Sequence, residues 1–360
     1  MTAAVTALVE ERADELPLEG WIKAQAYALG FDLAGIAGLG PAQTAGHFDA
    51  WLAAGYAGEM EYMARGAEKR RDTRLPVPGA VSAVVVALNY GGTEPPGPIA
   101  RYARGDDYHD VMLAKLRELH RRIAERTGGA VPGKPYVDTG PVLERELAQR
   151  AGLGWFGKNT NLINPGLGSF FFIGSLLLDL PLSPDAPFEE DRCGTCTRCL
   201  DECPTDAFVG PRVLDSRKCI SYLTIELRGD IPEELRPLIG DRIYGCDICQ
   251  DVCPWNVRFS RDLAEPALTP RAENVTPDAA EILALTDDEF RARFRRSPIK
   301  RTKRRGLARN AAVVMGNRDE SGDSATLSRA LEEPDPLVRD HARWALASRA
   351  SRHSQSNKSR

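Results

Sequence analysis

Histidine is scarce in this chain: His47, His109, His120, His341 and His353 are the only ones in 360 residues, and none pairs with another at a metal-ligand spacing. That excludes a metal site built on histidine. Long apolar runs are missing too. The longest, Phe170 to Leu180, is broken by Gly174 and Asp179, falls short of the roughly 20 residues a membrane-spanning helix needs, and reads as a buried strand. No Rossmann glycine fingerprint follows a strand and no P-loop Lys-Ser or Lys-Thr pair occurs. Gly152-Leu-Gly154-Trp-Phe-Gly157-Lys158 is not arranged for a pyrophosphate, so nucleotide binding gains no support. A secretory leader is also absent, and a cytoplasmic protein is expected. The net charge of -4, with 42% hydrophobic and 27% charged residues, belongs to an ordinary globular chain of two or three domains.

Cysteine is confined to one stretch. All eight lie between Cys193 and Cys253, in two groups that each end in Cys-Pro. The first, Cys193-Gly-Thr-Cys196-Thr-Arg-Cys199-Leu-Asp-Glu-Cys203-Pro204, is the C-x2-C-x2-C-x3-C-P run of bacterial 4Fe–4S ferredoxins. The second reads Cys246-Asp-Ile-Cys249-Gln-Asp-Val-Cys253-Pro254, with Cys219 upstream as the remaining ligand. Two-residue gaps let successive thiolates reach different irons of one cubane, while the Cys before Pro points to the other cluster. By that crossing rule Cys193, Cys196, Cys199 and Cys253 hold one cluster, and Cys203, Cys219, Cys246 and Cys249 hold the second. Structural zinc and a disulfide framework are the bland alternatives. Zinc sites rarely carry this run, and disulfides suit short secreted chains.

The organisation expected is α+β in three parts. Residues 1–185 form a mixed α/β domain with helices over Leu18 to Leu29 and Tyr108 to Arg126 and a strand over Val81 to Leu88. A Pro-rich bridge from Pro181 to Pro187 leads into a ferredoxin-like module, residues 186–262. Residues 263–350 read as helical: Pro277 to Phe294, Leu307 to Met315, Ser324 to Leu331 and Leu337 to Ala347, the last pair separated by Glu332-Glu-Pro-Asp-Pro336 as in a HEAT-like hairpin. Residues 351–360 read as a polar, disordered tail.

Two segments of the first domain concentrate chemistry: Arg101-Tyr-Ala-Arg-Gly-Asp-Asp-Tyr-His109, a loop leading into a helix, and Pro135-Tyr-Val-Asp138-Thr-Gly-Pro141-Val-Leu-Glu-Arg145. Asp138 ends a short strand just before a helix, where an Asp is usually a cap, and Pro141 at an early helical position agrees with that. The other reading is a carboxylate with a raised pKa that delivers a proton in a reductive site.

These pieces, taken together, resemble the epoxyqueuosine reductase family. The match is carried by Gly55-Tyr-Ala-Gly-Glu-Met60-Glu-Tyr-Met63, Asp107-Tyr-His-Asp110, Val137-Asp138-Thr-Gly140, Gly154-Trp-Phe-Gly-Lys158-Asn159, the first cysteine run, Cys219-Ile-Ser-Tyr-Leu-Thr224 and Tyr244-Gly-Cys246 through Pro254. The resemblance implies a cobalamin-binding catalytic domain, two 4Fe–4S clusters, and reduction of the epoxide of epoxyqueuosine at the tRNA wobble position to queuosine. It implies that base-off Co(I) cobalamin attacks the epoxide region while Asp138 protonates the departing oxygen. No D-x-H-x-x-G motif occurs, because Asp107-Tyr-His109 is followed by Asp110-Val-Met, in keeping with a cobalt free of histidine. Arg70, Tyr102, Asp138, Lys158, Asn159, Ser169, Ser221 and Thr224 lie in or beside matched segments and are the candidate cobalamin contacts. The chain departs from the family at Arg71-Asp-Thr-Arg-Leu-Pro-Val-Pro78, which leaves Arg70 and its neighbour Arg71 competing for one role.

The run Arg291 to Arg305 holds nine Lys or Arg residues and no acid. Such a run is usually a solvated face, and its use otherwise is to neutralise phosphates. Lys300, Arg301, Arg304 and Arg305 are the candidate tRNA contacts, on a chain expected to work as a monomer with a separate electron donor. A corrinoid dehalogenase, an electron carrier without a substrate and a nucleic-acid binder with structural clusters are the rival readings.

Overall fold

The computed structural model describes residues 15–318, 320 and 322–358. Its centre is a four-stranded antiparallel sheet made of β1 (Leu33–Gly38), β2 (Ser82–Asn89), β3 (Gly133–Tyr136) and β4 (Phe171–Leu178), in the order β1-β2-β4-β3. Register is set by pairs such as Gly35 with Val85 and Val85 with Ser175. Every residue of β2 is buried. The reason is that both faces are covered: Val84, Val86 and Leu88 meet the helices α1 (Leu18–Ala28) and α2 (Tyr108–Arg126), while Ala83, Val85 and Ala87 meet α3 (Glu144–Arg150) and its flanks. A strand buried on both faces reads as a continuous apolar run rather than an alternating one. Pro135 is tolerated because β3 is the edge strand.

Two close approaches fix the geometry. Gly174 lies under α2, where an added Cβ would meet Leu116 Cδ1 at 3.0 Å and Met112 Cε at 3.1 Å. Gly245 has φ +72 and faces Ala100, so a side chain there is both strained and blocked. The second contact docks the segment around Ile99 and Ala100 onto Tyr244 and Gly245 of the cysteine module. Ile99 and Ala103 join the core of the C-terminal helices, and Leu268 joins the core of the sheet. The three parts expected from the sequence therefore interlock rather than meet at clean boundaries.

The C-terminal region is helical, as expected, with different limits. The span Pro277 to Phe294 is two helices, Ala279–Ala284 and Asp287–Arg293, split by Thr286, which caps the second in a reciprocal capping box with Glu289. Helix α4 (Lys303–Asn317) packs against α5 (Pro336–Lys358) through Ala308, Ala311, Ala312, Val338, Ala342 and Ala345. Because α5 continues through Lys358, the expectation of a disordered tail from Ser351 is overturned as far as that residue; residues 359 and 360 lie outside the described ones.

Arg309 on α4 is fully buried and donates to the carbonyls of Leu223, Leu227 and Gly229 at 2.6, 2.9 and 2.7 Å. It closes the open end of the short helix Ile220–Ile225 that follows Cys219. Replacing it by Met strands those carbonyls, and we expect Arg309→Met to lower stability by about 2–4 kcal/mol. A fall in the urea midpoint at constant slope is the measurement that checks it.

Candidate active site

All eight cysteines are free, and they fall into two sets. Burial raises the Cys199 thiol to about 11, and the next influences on it are Cys253, Cys193 and Cys196. Cys249, raised chiefly by burial, next feels Cys246 and Cys219, and Cys219 interacts with Cys203. Cys199 and Cys249 are also neighbours of each other. Packing agrees: Cys253 lies with Cys193, Trp155 and Ile163, whereas Cys219 and Cys246 share another apolar cluster. Among the described residues no three His, Cys, Asp or Glu side chains converge tightly enough for a single metal ion. A cubane asks for a looser set, since each thiolate binds its own corner. The polar surroundings fit thiolates: Trp155 Nε1 donates to Cys193 Sγ at 3.5 Å and the Ala207 N–H to Cys203 Sγ at 3.4 Å.

Asp138 follows β3 and sits at the centre of a tight turn in which the Thr139 N–H donates to the Val137 carbonyl at 2.5 Å. Its φ is 56°, a left-handed conformation that Asp tolerates better than most side chains. The capping reading is overturned. Helix α3 starts at Glu144 with Leu143 at its cap position and no side-chain cap, and Pro141 precedes it. Instead the Asp138 N–H donates to Glu144 Oε1 at 2.6 Å.

The Asp138 side chain is 66% accessible, yet the surrounding protein is dense enough that desolvation is the largest influence on it. A group that is accessible and crowded at once lines a cleft. The walls follow from its neighbours. The Tyr108 hydroxyl donates to Asp138 Oδ2 at 2.8 Å, and the Tyr108 ring stacks on Phe172 at 4.0 Å. His109 Nε2 lies 3.6 Å from the same oxygen, and His109 Nδ1 lies 2.7 Å from Asp107 Oδ1. Asp107 caps α2 and takes Lys300 Nζ at 2.8 Å. Tyr102 packs edge-on against Tyr108 and against Tyr244, two residues before Cys246, so the cleft abuts the second cysteine set.

The charges are ordered. Burial pushes the Asp138 carboxyl up, but the facing His109 imidazolium and Tyr108 hydroxyl more than reverse it, leaving it below the ordinary carboxylate value. The expectation of a raised pKa there is overturned. It is Glu144 that is raised, to about 8, by burial and then by the Asp138 charge. Burial works against a charged His109, but Asp107 and Asp138 outweigh it and lift the ring to about 9. Burial likewise opposes the Asp107 charge, and His109 and Lys300 hold it down to about 2. At neutral pH the site is an ionised Asp138 between two protonated groups, neither of which the sequence reading singled out as an acid.

The cobalamin candidates divide. Arg70 is buried and reaches only the carbonyls of Tyr62, Met63 and Gly140, at 3.4 to 3.5 Å, with no carboxylate partner. Arg71 is exposed and paired with Asp49. Tyr102 lines the cleft and Ser221 is half-buried beside Cys219. The other four correct the expectation or refine it. Lys158 donates to the carbonyls of Gly194 and Cys196, and Asn159 to that of Cys249, so together they tie the two cysteine loops. Ser169 is 4% and Thr224 0% exposed, with hydroxyls bonded to Gln250 and to the Ile220 carbonyl. Asn159, Ser169 and Thr224 are buried, and their side chains are hydrogen-bonded within the protein.

The basic run is largely paired with acids. Arg301 is bidentate on Glu226 at 2.9 and 3.0 Å and lies over the Tyr62 ring, Arg304 is bidentate on Glu333 at 2.6 and 2.8 Å, and Arg305 pairs with Asp335 at 3.0 Å. Arg291, Arg293, Arg296 and Lys300 have acidic partners too. Only the exposed Arg295 and Lys303 have none among the described residues. A run without acids draws its counter-charges from distant segments, which the local pattern does not reveal.

Fold and site define a two-cluster iron–sulfur oxidoreductase with an acid–base cleft beside the second cysteine set. Family models agree: a 4Fe-4S double cluster binding domain matches residues 192–256, and the epoxyqueuosine reductase QueG model matches residues 70–139. The chain is 42% identical to the epoxyqueuosine reductase of Pseudomonas aeruginosa, over 88% of this chain and 91% of that one, and 41% identical to that of Escherichia coli, over 92% and 89%. Among solved structures it is similar to an epoxyqueuosine reductase bound to an epoxyqueuosine-modified tRNA stem loop (31% identity, TM-score 0.82, 95% and 90% covered). It is also similar to one from Bacillus subtilis with its catalytic Asp loop swung out of the active site (30%, 0.81, 95% and 91%). The chain belongs to the epoxyqueuosine reductase family.

Proposed function

We propose that this protein reduces the epoxide of epoxyqueuosine, at the wobble position of a tRNA anticodon, to the alkene of queuosine. The observation that carries the reading is the cleft itself: an accessible, ionised carboxylate on a strained turn, flanked by protonated side chains and adjoining one of two four-thiol sets. Epoxide reduction with loss of water takes up two electrons and two protons, which is what such a neighbourhood supplies. The thiolate sets would hold 4Fe–4S clusters that pass single electrons. Bound cobalamin would supply a strongly nucleophilic reduced cobalt.

Arg70, Tyr102 and Ser221 are the candidate residues that would hold the corrin. No histidine is expected on the cobalt, since His109 lies between the carboxylates of Asp107 and Asp138, which favour its protonated ring, and an imidazolium has no lone pair to offer. Tyr108 orients Asp138 through its hydroxyl. The helix pair α4 and α5 would serve as the HEAT-like support for the basic turn around residues 295–303, which borders the cleft through Lys300 and Arg301.

Phosphate binding falls to the cations that are not already paired. Arg295→Glu and Lys303→Glu are each expected to weaken binding of a tRNA anticodon stem loop and to lower the slope of log K against log salt by about 1. Arg304→Ala is expected to cost stability and leave that slope unchanged.

The reading is tested by anaerobic single-turnover reaction of epoxyqueuosine-bearing stem loop with reconstituted protein, with and without cobalamin. Loss of one oxygen from the released nucleoside only with cobalamin supports it. No conversion by protein that holds both clusters and cobalamin refutes it.

A further inference from the structure

Both protons of the reduction end on the same oxygen, which leaves as water. Asp138, ionised at rest, brings neither. We propose that His109 and Glu144 are the two proton stores of this site, and that Asp138 is the carboxylate through which the proton on His109 Nε2 reaches the substrate oxygen. The proposal rests on the epoxide-reducing reading above and adds the residues that feed the acid.

The geometry is directional. His109 Nδ1 is engaged by Asp107 Oδ1 at 2.7 Å, and Lys300 at 2.8 Å from Asp107 Oδ2 neutralises that carboxylate. Nε2 is buried without any hydrogen-bond partner and faces Asp138 Oδ2 at 3.6 Å. A shift of well under an ångström closes that gap to a hydrogen bond. Tyr108 holds Oδ2 by its hydroxyl at 2.8 Å, and its ring is fixed between His109 and Phe172 at 4.0 Å from each. The second oxygen, Oδ1, has no partner among the described residues and is the one left to meet a substrate. Glu144 uses Oε1 to accept the Asp138 N–H at 2.6 Å, so a proton on its other oxygen is free to leave.

The other charged or titratable groups around this pair are Asp107 and Tyr108 on α2, Lys300 and Arg301 on the basic turn, Arg145 beside Glu144, and Tyr62, Arg70 and Tyr102 on the opposing walls. Their balance favours the stored state, for His109 is lifted to about 9 and Glu144 to about 8.

The bookkeeping closes. The His109 Nε2 proton passes to Asp138, which gives it to the oxygen as the first C–O bond breaks, leaving His109 neutral and Asp138 ionised again. The second C–O bond breaks, the hydroxyl takes the Glu144 proton and departs as water, and the alkene forms. The two electrons come from a low-potential one-electron donor through the clusters, and solvent reprotonates His109 and Glu144.

The first test is the wild-type protein alone, by histidine-selective 15N NMR from pH 5 to 10. The His109 ring is expected to remain protonated to about pH 9; deprotonation near 6.5 overturns the proposal whether or not the protein turns over. The second is the pH dependence of single-turnover reduction by wild type, His109→Gln and Glu144→Gln, each with cluster content and stem-loop binding measured. His109→Gln is expected to lose about a hundredfold or more in rate with binding unchanged, and His109→Ala to recover rate with added imidazole. Glu144→Gln is expected to move the alkaline limb of the profile from about pH 8 towards 9. A His109→Gln protein with the wild-type rate and profile overturns the proposal. Failure of the wild type to convert substrate, with the NMR titration as expected, would instead count against the epoxide reading.

Discussion

Asp138→Asn is expected to cut single-turnover reduction of an epoxyqueuosine stem loop by about a thousandfold or more, while clusters, cobalamin and RNA binding survive. General acid–base groups contribute about 10² to 10⁴, and this substitution reaches more than one of them. Asn cannot carry a proton between His109 and the substrate. Removing the carboxylate also takes from His109 one of its two anionic partners, so the ring falls back towards its ordinary value. Glu144 then loses the neighbouring charge that helps raise it to about 8 and ionises more readily. One change thus interrupts the relay and empties both stores. The fold is spared for a specific reason: the residue has φ 56°, and Asn is enriched in that region as Asp is. Its backbone N–H still meets Glu144, and the 66% accessible side chain supports little packing. A rate that falls by less than about tenfold, with protein of full cofactor content, would sink the assignment of Asp138 to the chemistry.

What the sequence makes legible here is what has local grammar. Helix α2 is visible to the residue because Asp107 is a cap and Met112, Leu116, Leu119 and Ile123 recur on one face. The cysteine sets follow from spacing alone, because a cubane fixes how far apart successive ligands sit. Glu144 and Lys300 were not legible as parts of the site. Their roles come from contacts across the fold: Glu144 to the backbone of a residue six positions back, and Lys300 to Asp107 from another part of the chain. The pKa order was missed for the same reason, since Asp138 looks like a donor until the imidazolium beside it is seen. The pairing of the basic run was not legible either, because six of its nine cations find acids elsewhere in the chain, while Arg291 pairs with Asp288 three positions back.

Replacing Cys253 should remove the cluster that belongs to the other end of the cysteine region. Cys253 belongs by sequence to the block of Cys246 and Cys249, but it is the most buried of the cysteines and packs with Cys193 and Trp155. Pro254 starts the helix Pro254–Phe259 with Cys253 at its cap position, φ -69 and ψ 122, so the chain turns out of its own block there. Cys253→Ala is therefore expected to lose about half of the iron and acid-labile sulfide and all turnover, because one link for electrons is gone. A double-variant comparison decides which cluster is lost. Cys196→Ala added to Cys253→Ala should remove no further iron, since both serve the same cubane. Cys249→Ala added to Cys253→Ala should remove nearly all of it. The reverse pattern, with the Cys249 pair losing no more than either single variant, would mean that each sequence block holds its own cluster. The packing of Cys253 against Cys193 would then have to change when iron binds.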